Sequence, residues 1–311
     1  MLINILILVA GLALLYFGSS LLVEGSASTA IMFAVRPVIV GLTIVSLATS
    51  APELLVSLVA AVKGSEGISI GNILGSNVIN IALVLGASAI IQPVIIKKQV
   101  VRIEIPYMIL ISFIFWGICL DGTINRVDGI ILFVLLTIFL GYGLYTAKDK
   151  SNGNSSKPSR NPSLLLKNIA YILAGIVMLA YGANLVVKEA IEMAQVIGLS
   201  QTFIGISVVA LGTSLPELAT SVVAAARGES DISVGNVVGS NLFNICLVMG
   251  TVGLFNPMSV DSSLHWFEFP FMIFIGIVLG VIAYISKGVG KKGGVLFIAL
   301  FIAYLGVSYM K

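Results

Sequence analysis

The sequence predicts an all-α membrane protein with ten transmembrane helices, laid out as two inverted five-helix repeats. Three observations predict it. The 311 residues are 58% hydrophobic and only 10% charged, whereas soluble domains carry about a quarter charged residues. The apolar residues gather into ten stretches, each close to the roughly 20 residues that crossing a bilayer takes. The sequence also matches itself when shifted by 164 residues.

The stretches lie near 2–23, 37–62, 69–91, 104–120, 127–146, 166–187, 201–226, 233–254, 266–286 and 293–310. The first lacks a basic leader region and is long for the apolar core of a signal peptide, so it reads as a membrane helix. A single polar segment, rich in Ser, Asn, Lys and Pro, interrupts the series and reads as a flexible linker. It divides the chain into a first repeat at 1–147, the linker at 148–165 and a second repeat at 166–311.

Basic residues set the orientation, because cytoplasmic loops retain Lys and Arg. The odd-numbered loops hold 13 of the 17 basic residues. The expected placement is a multi-pass protein of the cell membrane, with both termini outside and the linker cytoplasmic. The net charge of +3 is small and dispersed, with no nucleic-acid footprint. Cys119 and Cys246 sit singly in apolar stretches, without metal or redox spacing. The one histidine, His265, has no partners that would make it a metal or catalytic site.

The repeat carries the chemistry. Residues 41–80 lie over 205–244 without a gap, and 21 of the 40 positions are identical. The matches include Thr, Ser, Pro, Glu and Asn, which an apolar composition does not supply by chance. Five spans separate equivalent points, and five is odd, so the second copy enters the membrane upside down. That is the inverted repeat found in secondary transporters.

Within it, ATSAPEL (48–54) pairs with GTSLPEL (212–218). Pro52 and Pro216 each remove a backbone donor in mid-membrane and are expected to break their helices. Carbonyls near Ser46 and Ala210 are then expected to be freed, beside the hydroxyls of Thr49, Ser50, Thr213 and Ser214. Glu53 and Glu217 follow the prolines directly. Buried carboxylates in a membrane are expensive, and the matched segments contain no Lys or Arg inside the span to neutralise them. Protons or metal ions remain. GNILGSNVIN (71–80) pairs with GNVVGSNLFN (235–244). Ser76 and Asn80, like Ser240 and Asn244, are four apart and share a helix face. Gly71, Gly75, Gly235 and Gly239 allow close helix approach. The whole donor set is oxygen, which suits hard cations rather than zinc, copper or iron.

These paired motifs resemble the sodium/calcium exchanger branch of the cation/calcium antiporter superfamily, over nearly the whole chain. The resemblance implies ten helices and calcium moved against a sodium gradient, with net charge movement and a site open alternately to the two faces. It implies metal ligands at Thr49, Ser50, Glu53, Ser76 and Asn80, at Thr213, Ser214, Glu217, Ser240 and Asn244, and at the carbonyls of Ser46 and Ala210. Helices near 2–23 and 166–187 would slide as the gate. Three positions depart from the family pattern. Ala48 replaces the usual Gly, Ser46 a common Ala, and Asn244 the Asp of potassium-dependent members and some prokaryotic relatives. The last implies independence from potassium. Sodium and calcium are then substrates, no cofactor or enzymatic activity is expected, the lipid bilayer is the one other partner, and the monomer is the expected working unit. The rivals are a proton-coupled calcium antiporter, a passive cation channel and an intramembrane enzyme. The channel conflicts with a mid-membrane carboxylate pair, which traps ions, and the enzyme lacks any Ser-His, Asp-Asp or His-cluster constellation.

Overall fold

The computed structural model describes residues 2–147, 162–196 and 210–310, with side chains from 6–147, 162–189 and 211–308. Most of the linker and the start of the seventh predicted span, 201–209, therefore lie outside the described residues. The described chain is helical apart from two short ribbons. In chain order the helices are α1 (Leu2–Phe33), α2 (Pro37–Thr49), α3 (Ala51–Val62), α4 (Glu66–Ile91), α5 (Val100–Asp121) and α6 (Arg126–Tyr145). After the linker come α7 (Pro162–Val196), α8 (Ala210–Thr213), α9 (Leu215–Ala226), α10 (Ser230–Phe255), α11 (Ser262–Ser286) and α12 (Lys291–Met310).

Eight of these helices are long and apolar enough to cross a membrane by themselves. The bent pair α2 and α3, turning by 44°, makes a ninth span among the described residues. α9 has only 12 residues, about 18 Å of helix against a hydrocarbon core of about 30 Å.

Apolar side chains cover the outside and also fill much of the interior, and a set of polar side chains is buried among them. The central helices α4 and α10 are each 83% buried, whereas α1, α5, α6, α7, α11 and α12 are 22–39% buried. The buried set includes Ser46, Thr49, Glu53, Ser57, Asn72, Asn77, Glu217, Ser221, Asn236 and Asn241. The exposed set includes Leu6, Tyr16, Leu55, Leu110, Val134, Leu173 and Tyr284.

α1 and α7 are longer than their predicted 2–23 and 166–187, at 32 and 35 residues. They run antiparallel with backbones almost touching. A Cβ on Gly18 would lie 3.0 Å from the Gly175 carbonyl, and one on Gly175 would lie 2.7 Å from the Gly18 carbonyl. Packing this close needs glycine on both sides.

The ends of the bundle are tied across the two halves. Strand β1 (Val94–Ile95) pairs antiparallel with β4 (Gly288–Val289), and β2 (Thr123–Ile124) with β3 (Met258–Ser259). Just past β1, Lys97 Nζ lies 2.5 Å from Asp231 Oδ2 at the start of α10. In β3, the Ser259 amide donates to Glu66 Oε2 at the start of α4, at 3.0 Å. Arg36, buried where α2 begins, reaches Glu104 Oε1 at 3.7 Å. It also donates to the Thr146 carbonyl at 3.1 Å and the Thr146 hydroxyl at 3.0 Å, closing the end of α6.

Candidate cation site

Both proline breaks form as the sequence predicts, and with one geometry. Helix α2 ends at Ser50, with φ −82° and ψ 4°, and α8 ends at Ser214, with φ −87° and ψ 5°. Pro52 and Pro216 fall in the first turn of α3 and α9, where a missing N–H removes no helical bond. The chain therefore breaks just before the proline and restarts on it. Glu53 and Glu217 land in the first helical turn, whose positive dipole end favours a negative charge. Both are fully buried.

The two arms are cross-linked reciprocally. Ser50 Oγ donates to Glu217 Oε1 at 3.3 Å, and Ser214 Oγ donates to Glu53 Oε1 at 3.3 Å. Ser214 Oγ also lies 3.2 Å from Ser76 Oγ, which donates to Glu53 Oε1 at 3.5 Å. Thr49 Oγ1 and Ser240 Oγ stand 3.4 Å apart. The central helices α4 and α10 thus bring Ser76 and Ser240 to the breaks, as the four-residue spacing anticipated.

Asn80 and Asn244 sit where α4 and α10 widen into one wider, π-helical turn, Asn80–Leu85 and Asn244–Met249. Such turns displace one residue and recur at functional sites. Asn80 Nδ2 donates to Asn241 Oδ1 at 3.2 Å, and Asn244 Nδ2 donates to Asn77 Oδ1 at 3.2 Å. Four buried acceptor oxygens at the centre are left without a hydrogen-bond partner: Glu53 Oε2, Glu217 Oε2, Asn80 Oδ1 and Asn244 Oδ1. Buried polar atoms are normally paired, and these two carboxylate and two amide oxygens are not.

Ser46 differs from expectation. Its carbonyl accepts the Ser50 amide at 2.9 Å, so the break does not free it, although a carbonyl keeps a second lone pair. The donor lost at Pro52 is the one that would have served Ala48, four residues back. The Ser46 hydroxyl donates to the Gly41 carbonyl at 2.5 Å across a π-helical turn at Gly41–Val45. Gly239 lets this segment approach α10: a Cβ there would strike the Ser46 hydroxyl and lie 2.9 Å from Leu42 Cα. Ala210 opens α8.

Sequence reading passed over the residues that hold the candidate site side chains. Asn72 Oδ1 accepts Thr213 Oγ1 at 3.2 Å, while Asn72 Nδ2 donates to Ser57 Oγ at 3.0 Å. Asn236 repeats this, accepting Thr49 at 3.1 Å and donating to Ser221 at 2.9 Å. Asn77 Nδ2 donates to Met272 Sδ at 3.5 Å, and Asn241 Nδ2 to Met108 Sδ at 3.4 Å. Every one of these residues has an identical counterpart 164 positions away, which is the signal that could have found them. His265 accepts the Trp116 indole N–H at 3.1 Å, a structural role away from the site.

The family model described as sodium/calcium exchanger protein matches residues 3–145 and 167–310. The chain belongs to this family. The sodium/calcium exchanger MaX1 of Methanosarcina acetivorans is 31% identical over 99% of both chains. The inner membrane protein YrbG of Escherichia coli is 32% identical, covering 99% of this chain and 98% of that protein. Among solved structures, the sodium-calcium exchanger NCX_Mj superposes with a TM-score of 0.86 at 32% identity over 98% of each chain. Like those relatives, this exchanger-family chain is a multi-pass helical membrane protein, and its family is one of transporters.

Proposed function

We propose that the protein is a secondary antiporter that exchanges sodium for calcium across the cell membrane by alternating access. The observation that carries this is the set of four unpartnered oxygens, on Glu53, Asn80, Glu217 and Asn244. Two carboxylates balance one Ca²⁺ or two Na⁺, so either ion can occupy the site in turn. The proposed ligands are Thr49, Ser50, Glu53, Ser76, Asn80, Thr213, Ser214, Glu217, Ser240 and Asn244, with the carbonyls of Ser46 and Ala210. Oxygen ligands in this number suit Ca²⁺.

The architecture proposed with it has ten spans, and α8 and α9 are the described part of the one expected near 201–226. Repeats at 1–147 and 166–311 are inverted about the centre, and 148–165 is a cytoplasmic linker, with both termini outside. Matched hydrogen bonds in the two halves support this reading, because inverted halves allow inward-open and outward-open arrangements of similar energy. Helices α1 and α7, joined along their glycines, are the proposed gate. The neutral oxygens beside the carboxylates can hold a further Na⁺ beyond the two that balance them, so in this proposal more sodium charge than calcium charge moves per cycle and transport is electrogenic. Asn244 leaves the site one charge short of the aspartate-bearing pattern, so potassium is not needed. The working unit is the monomer.

The test is calcium uptake into sealed proteoliposomes loaded with sodium, potassium, choline or an acid interior. Uptake that needs internal sodium and ignores potassium is expected. Uptake driven by the proton gradient alone would replace sodium with protons in this scheme, and uptake with no counter-ion would make the protein a channel.

A further inference from the structure

Resting on that reading of Asn80 and Asn244 as ligands, we infer that Met108 and Met272 are positioning residues, whose thioethers aim those two amides at the ion. An asparagine side chain is nearly symmetric in shape, and either end can face a neighbour. Turning Asn80 over would present its NH₂ to a cation, and a buried N–H facing a cation repels it. Something must therefore fix which way the amide lies before an ion arrives.

Asn80 and Asn244 are both buried inside helices, and each spends its NH₂ on the amide oxygen of a second asparagine, Asn241 or Asn77. That second amide could itself turn over, and the first would follow. It does not, because its own NH₂ points at sulfur: Asn241 at Met108 Sδ, 3.4 Å away, and Asn77 at Met272 Sδ, 3.5 Å away. A thioether accepts and cannot donate. It is satisfied only by the NH₂ end of Asn241 or Asn77. That leaves the oxygen end to accept from Asn80 or Asn244, and sends the ligand oxygen toward the site, where it is unpartnered. The direction of a two-amide relay is thus set at its far end by an atom on a third helix, α5 or α11. The device is built twice: Met108 and Met272 are 164 positions apart, as are the asparagine pairs. Both methionines are 2% exposed, in a core where leucine would fill the same volume.

The experiment compares wild type with Met108→Leu, Met272→Leu and the double variant, and with Met108→Gln, whose amide oxygen restores an acceptor on a side chain of the same length while its NH₂ leaves the direction of Asn241 only partly fixed. Calcium binding is read on purified protein by isothermal titration, sodium-driven uptake in proteoliposomes, and thermal stability alongside. Each leucine variant is expected to weaken calcium binding and raise the uptake KM by about two- to tenfold, the range one modest hydrogen bond allows, with maximal uptake rate retained. The glutamine variant is expected to return affinity toward wild type even where its melting temperature falls, which a purely structural role would not produce. Leucine variants that bind calcium like wild type would overturn the relay, as would affinities that simply follow melting temperature across the series. A wild-type protein that binds calcium without sodium-driven uptake would sink the exchange reading and leave the relay to be decided by the titrations. A wild type that binds neither ion would overturn both.

Discussion

The ATSAPEL arm of the first half and the GTSLPEL arm of the second hold each other's glutamate through the same serine at the same 3.3 Å. At the bundle ends the two ribbons repeat, β1 and β3 lying 164 positions apart, but the side-chain ties beside them do not agree. Where β1 leads to α10 the link is an ion pair, Lys97 to Asp231, while β3 reaches α4 through the Ser259 amide and Glu66. Where Arg36 joins Glu104 and Thr146, the sequence counterpart of Arg36 is Ser200, outside the described residues. The difference teaches where equality is required. Duplicated halves can drift at their ends, since any contact that ties two helices together serves. At the centre each arm presents its own carboxylate and also clamps the opposite one, so a change on one side is felt by both.

The comparison breaks most sharply at the carboxylates. Glu53→Gln and Glu217→Gln are each expected to weaken calcium binding by at least about a hundredfold, since charge count dominates affinity at oxygen sites. Calcium titration of the purified variants checks this, and losses differing by more than a few-fold would mean that the halves are not equivalent at the site. Next in size, Arg36→Ala leaves Glu104 buried and unpaired, which costs about 3–5 kcal/mol for a broken buried pair. A marked fall in melting temperature in detergent is expected, whereas Lys97→Ala, at a half-exposed pair, is expected to cost at most about 1 kcal/mol. Smaller again are Asn72→Ala and Asn236→Ala. Each removes one hydrogen bond to a threonine and one to a serine hydroxyl and is expected to cost about 1–3 kcal/mol, equally in the two halves. Melting temperature measured beside apparent sodium affinity tests whether the two asparagines are equivalent clamps.

Much of this was legible in the sequence because it rests on local signals. Composition places the chain in a bilayer, proline beside glutamate marks a broken helix with a carboxylate in its new first turn, and the 164-residue repeat says that everything central occurs twice. What stayed hidden depends on which side chain meets which across the bundle. Asn72, Asn77 and Asn80 look alike in one short motif, yet the first clamps a threonine, the second carries an amide relay and the third faces the site. Met108 and Met272 vanish in apolar runs that have no polar spacing to expose them. That the Ser46 carbonyl stays bonded to the Ser50 amide was not legible, because the sequence marks the proline and leaves open how the preceding turn closes.

The most direct test of the central claim, that one pair of carboxylates holds either ion, is calcium titration of the purified protein at rising sodium concentration. The account predicts an apparent calcium Kd that climbs continuously with sodium, without levelling off, as the ions compete for Glu53 and Glu217. A Kd that ignores sodium, or that rises to a plateau, would place the two ions in separate sites and contradict it.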